Sequence, residues 1–390
     1  MKSLLSLSPA LGALIAAAVL SACSSAPSEK SASVAAVRYT GPAITLRTTP
    51  ANAASANMTG ATATAALNVS ATLAANASAQ PAVNPTLNAT GDAALAYLNA
   101  RRREVGLKPL AFDPDVAAAA ASHARYLVLN GAHGHDEIVG AAGFTGPDVT
   151  SRVRRHATVA IGAGEVLSVV GGAQDMSVEA AVQQIFASPY HRGAMLFDWA
   201  RAGVAADGRS VALQTVADSA AQATPRNPTQ HGAQSVTVID FADIADPLPD
   251  TQLVAWPYDR QRDVPLSWTD IEQPDPMGPG SGYFGQDVGF PITLSGGPNA
   301  HIVLRSVDLR DARGHRVACH IAPLTAADTA RNTAICTPYR PLAAGTRYTV
   351  HAQGALTQAT FADAPFDLQW SFETQASPAK PSSGTLTARN

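Results

Sequence analysis

From Asp92 to Ala187 apolar residues recur at helical spacing, and from Trp256 onward they do not. That change confines the chain to a helical region followed by a β-rich one. Leu95, Leu98 and Val105 share one helical face, which Gly106 and Pro109 close. A second helix is expected from the Asp113 N-cap and Pro114 to Asn130-Gly131, with Val116, Ala119, Ala120 and Leu127 on the face of His123. A third, short one should follow Asp148, and a fourth runs from Ser177 to Ala187 with Val178, Ala181, Val182, Ile185 and Phe186 as its buried stripe. Strand-like runs follow at Val211 to Val216 and Val236 to Phe241. The texture changes near Pro247. Phe290 to Leu294, His301 to Val307, Tyr348 to Ala352 and Leu368 to Thr374 are short β-type segments between Gly, Pro and Asp turns, the spacing of a β-sandwich.

Ahead of the helices, Lys2 and the short apolar run Ala10 to Ala22 read as a secretory signal, too short for a mature spanning helix. It ends in Leu20-Ser21-Ala22-Cys23, which resembles the lipobox of bacterial lipoproteins. The resemblance implies acylation of Cys23 and cleavage before it. Ser24, rather than an aspartate, follows the cysteine and favours an outer-membrane address in the cell envelope, on the periplasmic or the surface face. From Ser24 to about Thr90 the chain is rich in Ala, Ser, Thr, Asn and Pro, poor material for a core, and is expected to be a flexible tether.

The net charge of −3 gives no basic footprint for nucleic acid. Of the three cysteines, Cys23 is assigned to lipid, which leaves Cys319 and Cys336 to pair in an oxidising compartment.

Three polar clusters carry the chemistry of the helical region: Gly131-Ala132-His133-Gly134-His135-Asp136-Glu137 with Phe144-Thr145-Gly146 and Arg152; Gly164-Glu165-Val166; and Ser188-Pro189-Tyr190-His191-Arg192. Two histidines and a carboxylate from separate loops are what a metal site or an acid–base site needs. His123 reads as a satisfied core histidine, Arg152 and Arg192 as partners of loop-holding carboxylates, and Phe144-Thr145-Gly146 as a turn anchor.

The order Leu98-Asn99-Ala100-Arg101-Arg102, Val105 to Leu110, Ala119 to Leu127, the Gly-His pair, Phe-Thr-Gly, Gly-Glu and Ser-Pro-x-His-Arg resembles the CAP superfamily of cysteine-rich secretory, antigen 5 and pathogenesis-related proteins. The resemblance covers about Asp92 to Ala245. It implies an α-β-α sandwich with a cleft holding two histidines and up to two acids. Carried over by motif, these are His135 (His133 the alternate), Glu165 and His191. The family's second acid would fall near Ala187 or Ser188, neither of them acidic; Glu179 lies on the same helix, but in its first turn, where the helix dipole explains it.

In the β-rich region, Trp256-Pro257-Tyr258-Asp259, Pro341 to Val350 and Trp370 to Thr374 resemble the immunoglobulin-like modules that follow CAP domains in some bacterial proteins. Its histidines His301, His315, His320 and His351 lack ligand spacing. The expected chain is therefore α+β: signal peptide 1–22, lipidated tether 23–90, CAP-type α-β-α sandwich 91–247, all-β immunoglobulin-like sandwich 248–377 and disordered tail 378–390. The resemblance favours a membrane-anchored protein binding a lipid, small molecule or protein in its His/Glu cleft, without a fixed catalytic role. Two alternatives stand beside it. One is a zinc-assisted hydrolase or peptidase with His135, His191 and Glu165 as ligands. The other is a structural or adhesion protein acting through the β region.

Overall fold

The structure, a computed structural model, describes residues 37–38, 44–45, 85–157, 159–171, 176–209, 234–323, 332–358 and 361–376. The signal peptide, Cys23, the Val211 to Val216 run and the 378–390 tail lie outside the described residues.

The elements run in the order β1 (Val37–Arg38), β2 (Ile44–Thr45), α1 (Pro85–Glu104), β3 (Ala111–Phe112), α2 (Pro114–Asn130), α3 (Val149–His156), β4 (Ala163–Gly171), α4 (Val178–Ala187), α5 (Pro189–Met195), β5 (Trp199–Arg209) and β6 (Gln234–Ile244). They continue with β7 (Gln252–Trp256), β8 (Ser267–Thr269), β9 (Asp287–Gly289), β10 (Ile292–Gly296), β11 (His301–Arg310), β12 (Arg316–Val317), β13 (Cys319–Ile321), β14 (Thr333–Pro338), β15 (Arg347–Gln358) and β16 (Phe361–Glu373).

The expected helix signals act as read. Asp113 caps α2 by accepting from the backbone N–H groups of Asp115 and Val116, and Gly131 closes it with φ 57°. Asp148 caps α3 and Ser177 caps α4. The helices surround a four-stranded sheet of order β3-β5-β6-β4. Alternation along β6 sorts its two faces. Val236 and Val238 join Ala120, Ala124 and Leu127 of α2, whereas Ile239 and Phe241 join Leu98 of α1, Phe186 of α4 and Met195 of α5. The result is three layers, α-β-α.

After β6 the chain supplies four strands to each of two five-stranded sheets, β1-β16-β15-β11-β12 and β13-β14-β10-β7-β2, and builds a small β8-β9 ladder. Cys319 on β13 and Cys336 on β14 are joined by a disulfide, with Cα atoms 5.7 Å apart. A single apolar core holds Leu98, Phe186 and Phe241 together with Trp256, Phe290, Leu309 and Phe372.

Two corrections concern the expected tether over 23–90. Helix α1 begins at Pro85, inside the segment expected to be a tether; at the first helical position proline's missing N–H costs nothing. Earlier still, Val37–Arg38 pairs parallel with β16 and Ile44–Thr45 pairs antiparallel with β7. Two-residue strands carry too little pattern to be read from sequence, yet each supplies an outer strand with backbone partners.

Candidate functional site

The first cluster is built on α2, the loop after it, and the paired strands β4 and β6. His123, on the buried face of α2, places Nδ1 3.0 Å from Glu137 Oε1 and Nε2 3.1 Å from the Gly134 carbonyl. Glu137 is itself buried and accepts from the backbone N–H groups of Thr145 (2.5 Å) and Gly146 (3.3 Å) and from the Thr145 hydroxyl. The Phe-Thr-Gly turn is thus tied to the loop that carries His135.

His135 Nδ1 lies 2.8 Å from Glu165 Oε1, with its side chain 49% exposed against 1% for Glu165. The other carboxylate oxygen of Glu165 accepts from Arg152 Nη2 at 2.7 Å, while Arg152 Nη1 donates to the His135 carbonyl at 2.8 Å. One buried guanidinium therefore holds both the acid and the backbone of its histidine partner. His123 stands behind the pair, its Nε2 3.7 Å from Glu165 Oε1. Gly164 is a glycine because a Cβ there would meet the Trp199 ring at 2.4 Å.

Asp240 completes the cluster. It is the register partner of Glu165 across the β4–β6 ladder and is fully buried. Neither of its oxygens has a hydrogen-bond partner of ordinary geometry, and the Glu165 carboxylate is the neighbouring group placed to accept from a protonated Asp240. Burial, then the Glu165 charge, pushes Asp240 well above the usual carboxylate range. Desolvation also pushes Glu165 up, but the bond to His135 and the charges of His123 and Arg152 outweigh it and hold that carboxyl below its usual range. The two adjacent acids are thus driven apart, the proton favouring Asp240 over Glu165.

His191 is not part of this hydrogen-bonded cluster. At the start of α5, its Nδ1 lies 2.5 Å from Glu272 Oε1, beyond β8. Glu272 also accepts from the backbone N–H groups of His191 (2.7 Å) and Tyr190 (3.0 Å). Arg192, read as a carboxylate partner, is fully buried and instead donates to the carbonyls of Phe186, Ala187 and Pro291, with its guanidinium over the Phe290 ring. His133 is exposed and joins none of the cluster's hydrogen bonds; Glu179 is exposed and accepts from Gln183.

Zinc does not fit these residues as placed. His135 and His191 are each paired with a different carboxylate, and among the described residues no group of three His, Cys, Asp or Glu side chains is arranged to hold a metal ion.

The family model "CAP: Cysteine-rich secretory protein family" matches residues 95–206. Residues 95–206 are a CAP domain. Among solved structures the chain is similar to an extracellular protein containing a SCP domain from Bacillus anthracis str. Ames. The identity is 17%, with 42% of this chain and 45% of that chain covered and a TM-score of 0.28. The chain thus spans less than half the length of that protein. No curated protein matches. The CAP domain's matched segment contains His135, Glu165 and His191, but Asp240 and Glu272 lie beyond it. Reading by motif could not reach either acid. Asp240 left one signal, a carboxylate in the α2-facing series Val236, Val238, Asp240, Ala242; Glu272 left none.

Proposed function

We propose that this chain is an extracytoplasmic lipoprotein whose CAP domain binds a ligand, whether lipid, small molecule or protein, through the outward edge of His135. The observation that carries this reading is the contrast within one hydrogen bond: an imidazole half open to solvent, held by a carboxylate that is wholly buried. Glu165, Arg152, His123 and Asp240 are all covered, so their polar groups serve to fix one exposed ring. A preorganised polar group on a covered scaffold is what a binding site needs.

The anchor rests on Leu20-Ser21-Ala22-Cys23 and the apolar run before it, with Ser24 favouring the outer membrane. The two five-stranded sheets that share one core support an immunoglobulin-like reading of the β-rich region. The binding test is a titration of the purified protein with a panel of lipids and envelope components, in wild type and His135→Ala. At least tenfold weaker binding in the variant, at unchanged thermal stability, is expected; equal binding by the two proteins would sink the reading. For the anchor, Cys23→Ala should move the protein from the membrane pellet to the soluble fraction.

A further inference from the structure

The CAP motif Ser188-Pro189-Tyr190-His191-Arg192 carries no acid of its own, since Ala187 and Ser188 stand where one would serve His191. The chain brings one from 81 residues further on. Glu272 reaches His191 from the segment after β8, and its side chain is completely covered while that of His191 is 19% exposed. Three donors converge on that carboxylate, two backbone N–H groups and the ring Nδ1. The contact is held on both sides. Trp268 Nε1 donates to Ser188 Oγ at 3.2 Å, and buried Arg192 ties α4 and α5 to the Pro291 carbonyl.

From this juxtaposition we propose that Glu272 is a positioning residue that makes His191 a second ligand-facing imidazole, built jointly by the CAP domain and the β-rich region. A neutral ring donating Nδ1–H to the carboxylate must present Nε2 as an acceptor. Such a nitrogen recognises a hydrogen-bond donor, so the class of ligand is one bearing a hydroxyl or N–H group. The proposal rests on the reading of the CAP domain as a binding site, but its test needs no ligand.

The test is the tautomer of His191, read from long-range proton–nitrogen spectra of the full-length protein labelled at histidine nitrogen. His191→Gln identifies the ring's signals. In the wild type the neutral ring should carry its proton on Nδ1, and a ring protonated on Nε2 overturns the proposal. In Glu272→Ala the Nδ1–H form should give way to the Nε2–H form; an unchanged spectrum also overturns it. Glu272→Gln keeps the volume should the alanine variant fail to fold. Its neutral amide is a weaker acceptor than a carboxylate, so the Nδ1–H proton should move upfield, and no movement counts against the proposal. Failure of the His135→Ala titration would leave these spectra unaffected, which separates the two readings.

Discussion

Arg152 shows how much one side chain can carry. It is fully buried and pairs with Glu165 while Glu137 stands 4.0 Å from its Nε. Removing it leaves Glu165 ionised and covered, without the cation that offsets its burial. Arg152→Leu should cost about 3–5 kcal/mol, read as a lower urea midpoint. Asp198 is the opposite case, an acid that burial disfavours. Its oxygens lie in the core near Arg102, and desolvation raises its pKa to about 6 from an ordinary 3.8. Below pH 3.8 the folded and unfolded chains both hold this proton. Between there and pH 6 the unfolded chain releases it first, so the acid's contribution becomes less favourable as pH rises, by roughly 3 kcal/mol in full. Asp198→Asn should therefore be the more stable protein at pH 8 and match the wild type near pH 3, in paired urea titrations. At this scale the sequence showed only part of the site. His135, Glu165 and His191 sit beside Gly and Pro turn residues that mark loops and caps. Asp240 and Glu272 become partners only once a ladder and a distant segment bring them in, and no local pattern encodes that.

Among the elements, α2 was legible because both of its ends are chemical signals, Asp113-Pro114 and Asn130-Gly131. What the pattern could not show is how closely α2 lies on β5. A Cβ on Gly203 would stand 2.0 Å from Ala117 N and 2.5 Å from the Val116 carbonyl carbon. Both are backbone atoms, so no side chain can swing aside. Gly203→Ala should force the helix off the sheet and cost about 3 kcal/mol or more, with a matching fall in thermal midpoint. Asp113→Ala removes the cap and also an ion pair with Arg201. About 1–2 kcal/mol is expected for the cap, and a loss below a few tenths would show that the helix does not depend on it. The short strands β1 and β2 lie at the other extreme. Their residues are β-branched in part, but two positions cannot display an alternation; only the open edges of β16 and β7 make them strands.

For the whole molecule, the division into a helical and a β-rich region was readable from the change in texture near Pro247, but their union was not. The Phe186 ring meets Trp256 edge-on at 4.8 Å between centroids, inside a core that continues to Phe372. Arg192 crosses the same seam, with its guanidinium fully covered and bonded to carbonyls on both sides. Neither region can expose its half of this core without leaving the other's apolar face and several backbone carbonyls unpaired. The described helices all end by Met195, whereas Trp256, Trp268 and Trp370 lie in the β-rich region; with the fourth tryptophan, Trp199 on β5, replaced by phenylalanine, two spectroscopic probes follow the two regions separately. Far-UV circular dichroism and tryptophan fluorescence should give coincident unfolding curves in urea, the mark of one cooperative unit. Arg192→Met removes the charge, the carbonyl contacts and the stacking on Phe290 while keeping an apolar stem. It should lower stability by about 3 kcal/mol or more and separate the two curves, with the helical signal lost first. Curves already separate in the wild type would mean that the shared core does not couple the regions, and His191 would then be held by Glu272 across a joint that opens on its own.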